Sequence, residues 1–439
     1  MFKIINVILF ILSTFPAFYT KYISIKTNRI VSPSFPLTNN ITKFIISNNT
    51  VQSYASLPIS NYWNIQYYGY IYLGSNKMRM TVVYDTGSNL LWVPSPLCTS
   101  CRVYSTKYDA QLSTTAKYTN EKKNISYALG FVSGDVIEDT ISINDGEASI
   151  DSFRFVLANE ERDLNGTIPD GVLGLGISTE NNTHNSLVYS LFQNSLISSP
   201  SFSFYLTDSK KESRLFIGDI SYNSYIQKLF RETTLHMCVV PQDTQYWACD
   251  LLTVTLSINS TNNISFTSQS KVLFDSGTSY IIMPTQEYNS IMGFLVTRNN
   301  SSNICGLTPE NQIACQCNST HHFGSITLDF GNKSYFNINL EDIIDYFPTE
   351  NYQCVFQIIV SDKLNNTWIL GDSALRSTLI TFNMDKRSIQ WIKMKTLFNE
   401  EEMIRDDSDS HKNAIFYIWT IAGGAFLILI SVLAYYFMK

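Results

Sequence analysis

The stretch Thr81–Ser95, TVVYDTGSNLLWVPS, sets a carboxylate between two apolar strands. Val82–Tyr84 runs straight into Asp85-Thr86-Gly87-Ser88, and Leu90–Val93 follows at once and ends at Pro94. A carboxylate at such a junction lies on a buried turn, where leaving it unpaired is costly. Gly87 lets the backbone turn tightly and approach the carboxylate, and Thr86 and Ser88 supply hydroxyls to hold it. Taken alone, the triplet reads as an ordinary Asx turn, because Asp/Gly turns between strands are common.

A second copy changes that reading. Lys271–Pro284, KVLFDSGTSYIIMP, repeats the layout around Asp275-Ser276-Gly277-Thr278. An apolar run leads in, hydroxyls stand second and fourth, Gly is third, and an apolar strand closes on Pro. Two such elements, well separated in one chain, point to a duplicated unit whose halves bring two carboxylates together. Carboxylates that share a site cannot both ionise comfortably, so one pKa rises and the other falls. That supplies the acid and the base that activate water at a peptide carbonyl.

With these turns in place the chain resembles the pepsin-like aspartic endopeptidases, the family of pepsin, cathepsin D and the plasmepsins, from about Asn61 to about Ile392. The resemblance is carried by YYGYIYLG (Tyr67–Gly74), both Asp turns, Trp92 seven residues after the first Asp, and Tyr127. An apolar-apolar-Gly element after each turn adds to it: Val172-Leu173-Gly174 and Ile369-Leu370-Gly371. It implies an all-β, mainly antiparallel fold with few short helices and two related lobes flanking a cleft. Asp85 and Asp275 are then catalytic, with Thr86, Gly87, Ser88, Ser276, Gly277 and Thr278 supporting them. Asn124–Thr140 alternates as a hairpin with Gly130 near its tip, and the resemblance makes it a flap that closes over substrate. Tyr127 is its tyrosine, directed at the indole of Trp92, and Val83 and Val172 line the cleft beside the scissile bond. Ala128 stands where the family most often carries Gly.

Composition agrees with such a fold. The 439 residues are enough for two sizeable lobes. Charged residues make up 15% and aromatics 13%, and with abundant Val, Ile, Ser and Thr this favours strands over helices. A net charge of −6 argues against nucleic acid as a partner. No HExxH or GxSxG supports a metallo- or serine-hydrolase. Neither metal nor cofactor is expected, and the working form is taken as a monomer acting on proteins or peptides.

The ends of the chain read differently. Met1–Thr20, with Lys3 before the apolar run Ile4–Phe15 and small residues around Ala17, reads as a secretory signal peptide. An N-terminal anchor is the competing reading, but the run is short and Pro16 interrupts it. Residues 21–56 carry Lys21, Lys26, Arg29 and Lys43 and no acidic residue. By resemblance they form a basic propeptide that pairs with the aspartates, against the alternative of a disordered leader. Residues 57–209 and 210–396 are the expected lobes, with the boundary at the polar break Asp208–Glu212. Residues 397–413 form an acidic stalk, and Ala414–Met438, almost purely apolar, is long enough to span a bilayer as a type I anchor. A glycosylphosphatidylinositol signal competes with the span, although the spacer after Ser408 and Ser410 is short. About a dozen Asn-X-Ser/Thr sequons, among them Asn40, Asn124, Asn181, Asn263, Asn318 and Asn365, fit a secretory route ending in an acidic organelle or at the cell surface.

Secretion makes the eight cysteines candidates for disulfides. LCTSCR (Leu97–Arg102) alone reads as a redox pair, half a zinc site or a small disulfide loop. Cys238 and Cys249 flank a turn at Pro241–Gln245. The resemblance implies Cys98–Cys101 and Cys317–Cys354 as pairs, leaving Cys305 and Cys315 as an extra small loop. The function expected is hydrolysis of peptide bonds between hydrophobic residues by water held between two aspartates. The alternative is a catalytically inactive, protease-like binding protein at a membrane.

Overall fold

The computed structural model describes residues 44–394 except 48–49, 128–129, 144–147, 165, 178–184, 209–211, 222–223, 231–233, 259–260, 299–304, 318–322, 348–353 and 365. The expected signal peptide, most of the propeptide, the stalk and the apolar segment 414–438 lie outside the described residues, as do Ala128, Asn40, Asn181, Asn318 and Asn365. Among the described residues, no helix is long and apolar enough to cross a membrane.

The described residues are mostly strand, arranged in sheets of fourteen, eight and four strands. Alternation explains the local choice: in Gln66–Leu73 half-buried and buried residues alternate along the whole strand, which a period of two produces. The large sheet runs from His236–Val239 through Ser388–Lys393, Thr378–Asn383, Ser201–Tyr205 and Ser213–Gly218 to Thr50–Tyr62. It continues through Gln66–Leu73, Met78–Asp85, Gly171–Gly174, Leu91–Pro94, Ala148–Arg162 and Phe131–Ile143 to Lys117–Ser126. Ser201–Tyr205 pairs on one side with Ser213–Gly218 and on the other with Thr378–Asn383. The polar break at Asp208–Glu212, expected as a lobe boundary, lies in sequence between these paired strands, Ser201–Tyr205 and Ser213–Gly218.

Thr50–Tyr62 is one continuous strand, paired with Ser213–Gly218 from Tyr54 to Ile59. It passes through the expected propeptide end at Ser56. Its own pattern is weakly periodic, yet Ala55, Ser56 and Leu57 are buried along it, Ala55 and Leu57 in the main apolar core.

Two helices are expected from the sequence: Ser186–Ser195, with Leu187, Leu191 and Phe192 on one side, and Thr285–Phe294 by the family resemblance. Leu187–Gln193 buries Leu187 and Leu191, and Ser186 caps it by accepting from Tyr189 N at 3.4 Å. Thr285–Arg298 starts where expected and runs past Phe294. One apolar core lies under both Asp turns: Val82, Tyr84, Leu91 and Leu173 beneath the first, Val272, Phe274, Ile281 and Leu370 beneath the second. Trp247, fully buried, packs on Phe382 at 5.2 Å and donates Nε1–H to Leu175 O at 2.8 Å. Second-half residues thereby fix the segment threaded behind the first turn.

Candidate active site

Each turn is set by a strand arriving in parallel alongside it. Val83 faces Val172 and Asp85 faces Gly174; Phe274 faces Leu370 in the second copy. Main-chain bonds close the arrangement, from Leu175 N to Asp85 O at 2.7 Å and from Asp275 N to Leu370 O at 3.0 Å. The side-chain bonds are the same in both halves. Gly87 N donates to Asp85 Oδ1 at 2.8 Å, and Gly277 N donates to Asp275 Oδ1 at 2.8 Å. Ser88 Oγ donates to Asp85 Oδ2 at 2.5 Å, and Thr278 Oγ1 donates to Asp275 Oδ2 at 2.7 Å.

The second residue of each triplet crosses to the other half. Thr86 Oγ1 donates to Phe274 O at 2.7 Å and accepts from Ser276 N at 2.9 Å. Ser276 Oγ donates to Tyr84 O at 2.6 Å and accepts from Thr86 N at 3.1 Å. Both side chains are buried, so these polar groups depend on one another for partners.

The two carboxylates are held against each other. A Cβ on Gly277 would fall on Asp85 Oδ1, and one on Gly87 would stand 2.6 Å from Asp275 Oδ1. Only glycine leaves that space, which is why both triplets need it. Asp85 and Asp275 are 6% and 8% exposed. Burial pushes the Asp85 carboxyl up to about 7. The charge of Asp275 adds to that rise, and the bonds from Ser88 and Gly87 oppose it.

Lys117–Ser126 and Phe131–Ile143 form an antiparallel hairpin with Asn124 opposite Ser133 and Ser126 opposite Phe131. Tyr127 N donates to Gly130 O at 2.7 Å at its tip. Trp92 Nε1–H donates to the Tyr127 hydroxyl at 2.8 Å. Burial, followed by the charge of Asp85, raises the pKa of that hydroxyl. Trp92, Tyr127 and Val172 share one apolar cluster, and Val83 is the strand partner of Val172. The structure therefore collects the sequence-derived site residues from both turns and the hairpin in one region.

One residue escaped the sequence reading. Asp372, the last of WILGD, is 2% exposed, and its amide donates to Thr278 O at 2.8 Å. Burial holds its carboxyl well above the usual range; Asp275 raises it further, Arg376 opposes the rise, and Asp85 adds to it. The available signal was a charge directly after the second apolar-apolar-Gly, where the first copy has Leu175.

The structure pairs the cysteines as Cys98–Cys101, Cys238–Cys249, Cys305–Cys315 and Cys317–Cys354. Among the described residues, no three His, Cys, Asp or Glu side chains are grouped to hold a metal ion.

A family model described as "Eukaryotic aspartyl protease" matches residues 66–394. Vacuolar protease A of Aspergillus fumigatus is 26% identical over 81% of this chain and 86% of its own length. Pepsin A of Gallus gallus is 28% identical over 74% of this chain and 83% of its own. Vacuolar protease A of Neurospora crassa reaches 32% over 52% of this chain, and there the match spans 56% of the relative.

Proposed function

The chain belongs to the eukaryotic aspartyl protease family, and on that premise we propose that Asp85 and Asp275 are its catalytic pair. The protein is an aspartic endopeptidase, a hydrolase of peptide bonds in proteins or peptides. The observation that carries the assignment is reciprocity: each carboxylate rests against the glycine of the opposite turn and is held by matching bonds from its own.

Two carboxylates this close hold one proton between them near neutrality, and the proton belongs to the pair rather than to either residue. The ionised member takes a proton from a water lying between them, and the oxygen of that water attacks the scissile carbonyl. The protonated member donates to the carbonyl oxygen as the tetrahedral intermediate forms, so that charge does not accumulate there. Collapse of the intermediate breaks the C–N bond. The carboxyl that received the water's proton passes one to the departing nitrogen, and the other carboxyl recovers its own from the diol. Val83 and Val172, both half-buried, favour hydrophobic residues beside the cleaved bond. Purified chain is expected to cleave a denatured protein at acid pH, and Asp85→Asn or Asp275→Asn to abolish this; full activity in either variant would sink the assignment.

Residues 21–56 are proposed as an inhibitory leader released in acid. Because Ala55, Ser56 and Leu57 are buried in a paired strand, cutting there requires that strand end to come free. A precursor fully active at neutral pH with the leader attached would remove that role. Ala414–Met438 is proposed as a type I anchor, on its length and apolar composition. Full-length protein should resist alkaline carbonate extraction, and release by phosphatidylinositol-specific phospholipase C would contradict the span.

A further inference from the structure

We propose that Arg102 is a positioning residue for the flap: it clamps the connection on which the flap tip rests, and so sets how tightly substrate is held. The proposal rests on the peptidase reading and deepens it.

Arg102 directly follows the Cys98–Cys101 disulfide and is 5% exposed. Its Nε lies 2.7 Å from Glu161 Oε1, a pair whose side chains are almost wholly buried. Nη1 donates to Thr167 O at 2.7 Å, to Pro169 O at 2.8 Å and to Thr167 Oγ1; Nη2 donates to Asp170 O at 3.0 Å. One guanidinium thus holds main-chain carbonyls at three positions of the connection from Ala148–Arg162 to Gly171–Gly174. The Asp170 carboxylate ties the same connection to Thr81 N at 2.9 Å, Thr81 Oγ1 at 2.6 Å and Thr106 N at 2.6 Å. Glu161 N in turn donates to Ser100 Oγ, within the disulfide loop, at 3.1 Å.

The other face of this connection meets the flap. Leu164 packs in the cluster that contains Trp92, Tyr127 and Val172. A Cβ on Gly130 would stand 2.5 Å from Leu164 Cδ2 and 2.6 Å from Arg162 O, so the flap tip already touches the clamped segment. None of these bonds involves Asp85, Asp275 or the crossed Thr86–Ser276 set. Loosening the clamp should therefore shift the resting place of the flap and leave the dyad in place. Only a planar fork with five donors serves the carboxylate and the carbonyls together; a lysine has a single point of charge.

A buried charge left without its partner destabilises a fold strongly, whereas replacing both partners by apolar residues is often tolerated. That separates positioning from stability. Thermal melting and steady-state kinetics on a hydrophobic peptide at acid pH are compared for the full chain, Arg102→Met, and Arg102→Met with Glu161→Leu. Arg102→Met should melt early and bind substrate poorly. The double variant should regain the part of the melting temperature lost to the unpaired Glu161 charge, while KM stays raised roughly three- to tenfold, the size expected for reordering one or two side chains on binding, and kcat is unchanged. Arg102→Lys should fall between wild type and Arg102→Met in KM. If KM returns to the wild-type value together with the melting temperature, Arg102 is a stability residue and the proposal is wrong. Failure of both the single and the double variant to fold overturns it in the same way. A wild-type chain that cleaves no peptide removes the peptidase reading itself; an active wild type with an unchanged KM in a stable double variant removes this proposal alone.

Discussion

Asp85 and Asp275 receive the same bonds from their own turns, an amide from the glycine and a hydroxyl from the residue after it. Thr86 and Ser276 extend the match across the midline. Beyond that shell the halves part. Above the first turn stands the hairpin, with Tyr127 tied to Trp92. Behind the second lies Asp372, buried and bonded through its amide to Thr278. On the proposed mechanism, the repeated part is the part that water activation would use, with a carboxylate from each half. The unrepeated parts differ in kind: a hairpin, proposed as a cover over substrate, on one side and a third buried carboxyl on the other.

If the equivalence is real, Asp85→Asn and Asp275→Asn should lose activity to the same degree. General acid–base help alone is worth ~10²- to 10⁴-fold, so peptide cleavage should fall by at least that much in each, with the fold kept. A loss confined to one variant would break the comparison at its centre.

A smaller effect tests the crossing bonds. Thr86→Val leaves the Phe274 carbonyl and the Ser276 amide without a partner at a buried site, at a cost of about 1–3 kcal/mol. Ser276→Ala strands the Tyr84 carbonyl and the Thr86 amide and should cost a similar amount. Denaturant unfolding of the two variants checks this, and a large loss in only one would show that the halves are not held symmetrically.

An effect that builds up gradually with pH sharpens the difference between the halves. The Asp85 carboxyl is pushed up to about 7, from an ordinary aspartate value of about 3.9. Between those values the folded chain keeps a proton that the unfolded chain has lost. Its contribution to stability is therefore greatest in acid and declines as pH rises from about 4 to 7, by at most about 1.4 kcal/mol per pH unit. Asp372, also raised, pulls in the same direction. Melting temperatures measured across that window should fall less steeply with rising pH in Asp85→Asn, and separately in Asp372→Asn. An unchanged slope in both would mean that burial of these carboxyls does not govern the pH response.

How much of this was legible depended on whether a residue's partners lie close in sequence or in a repeated pattern. The turns could be read because each carries its own supporting hydroxyls within three residues of the aspartate, and because the pattern occurs twice. Tyr127 and Trp92 could be matched through resemblance, and their bond joins residues on separate elements as that match implied. The helix Leu187–Gln193 could be read from the apolar stripe of Leu187, Leu191 and Phe192. Arg102 gave no signal: its carbonyl partners lie 65 to 68 residues away, and a lone charge after a cysteine reads as solvated surface. Asp372 sits at the end of an apolar strand, and Asp275, whose charge raises it most, arrives through parallel pairing from another part of the chain. The strand Thr50–Tyr62 was missed because the sheet fixes it more than its own pattern does.

The central claim is that Asp85 and Asp275 act as one acid sharing one proton. Carbon-13 NMR of carboxyl-labelled aspartate follows this directly, by comparing titrations of the wild type, Asp85→Asn and Asp275→Asn. The account predicts a wild-type titration near pH 7 that disappears in Asp85→Asn and moves down in Asp275→Asn, which keeps the burial of Asp85 but loses the neighbouring charge. Two independent titrations near pH 4, each lost in only one variant, would contradict it.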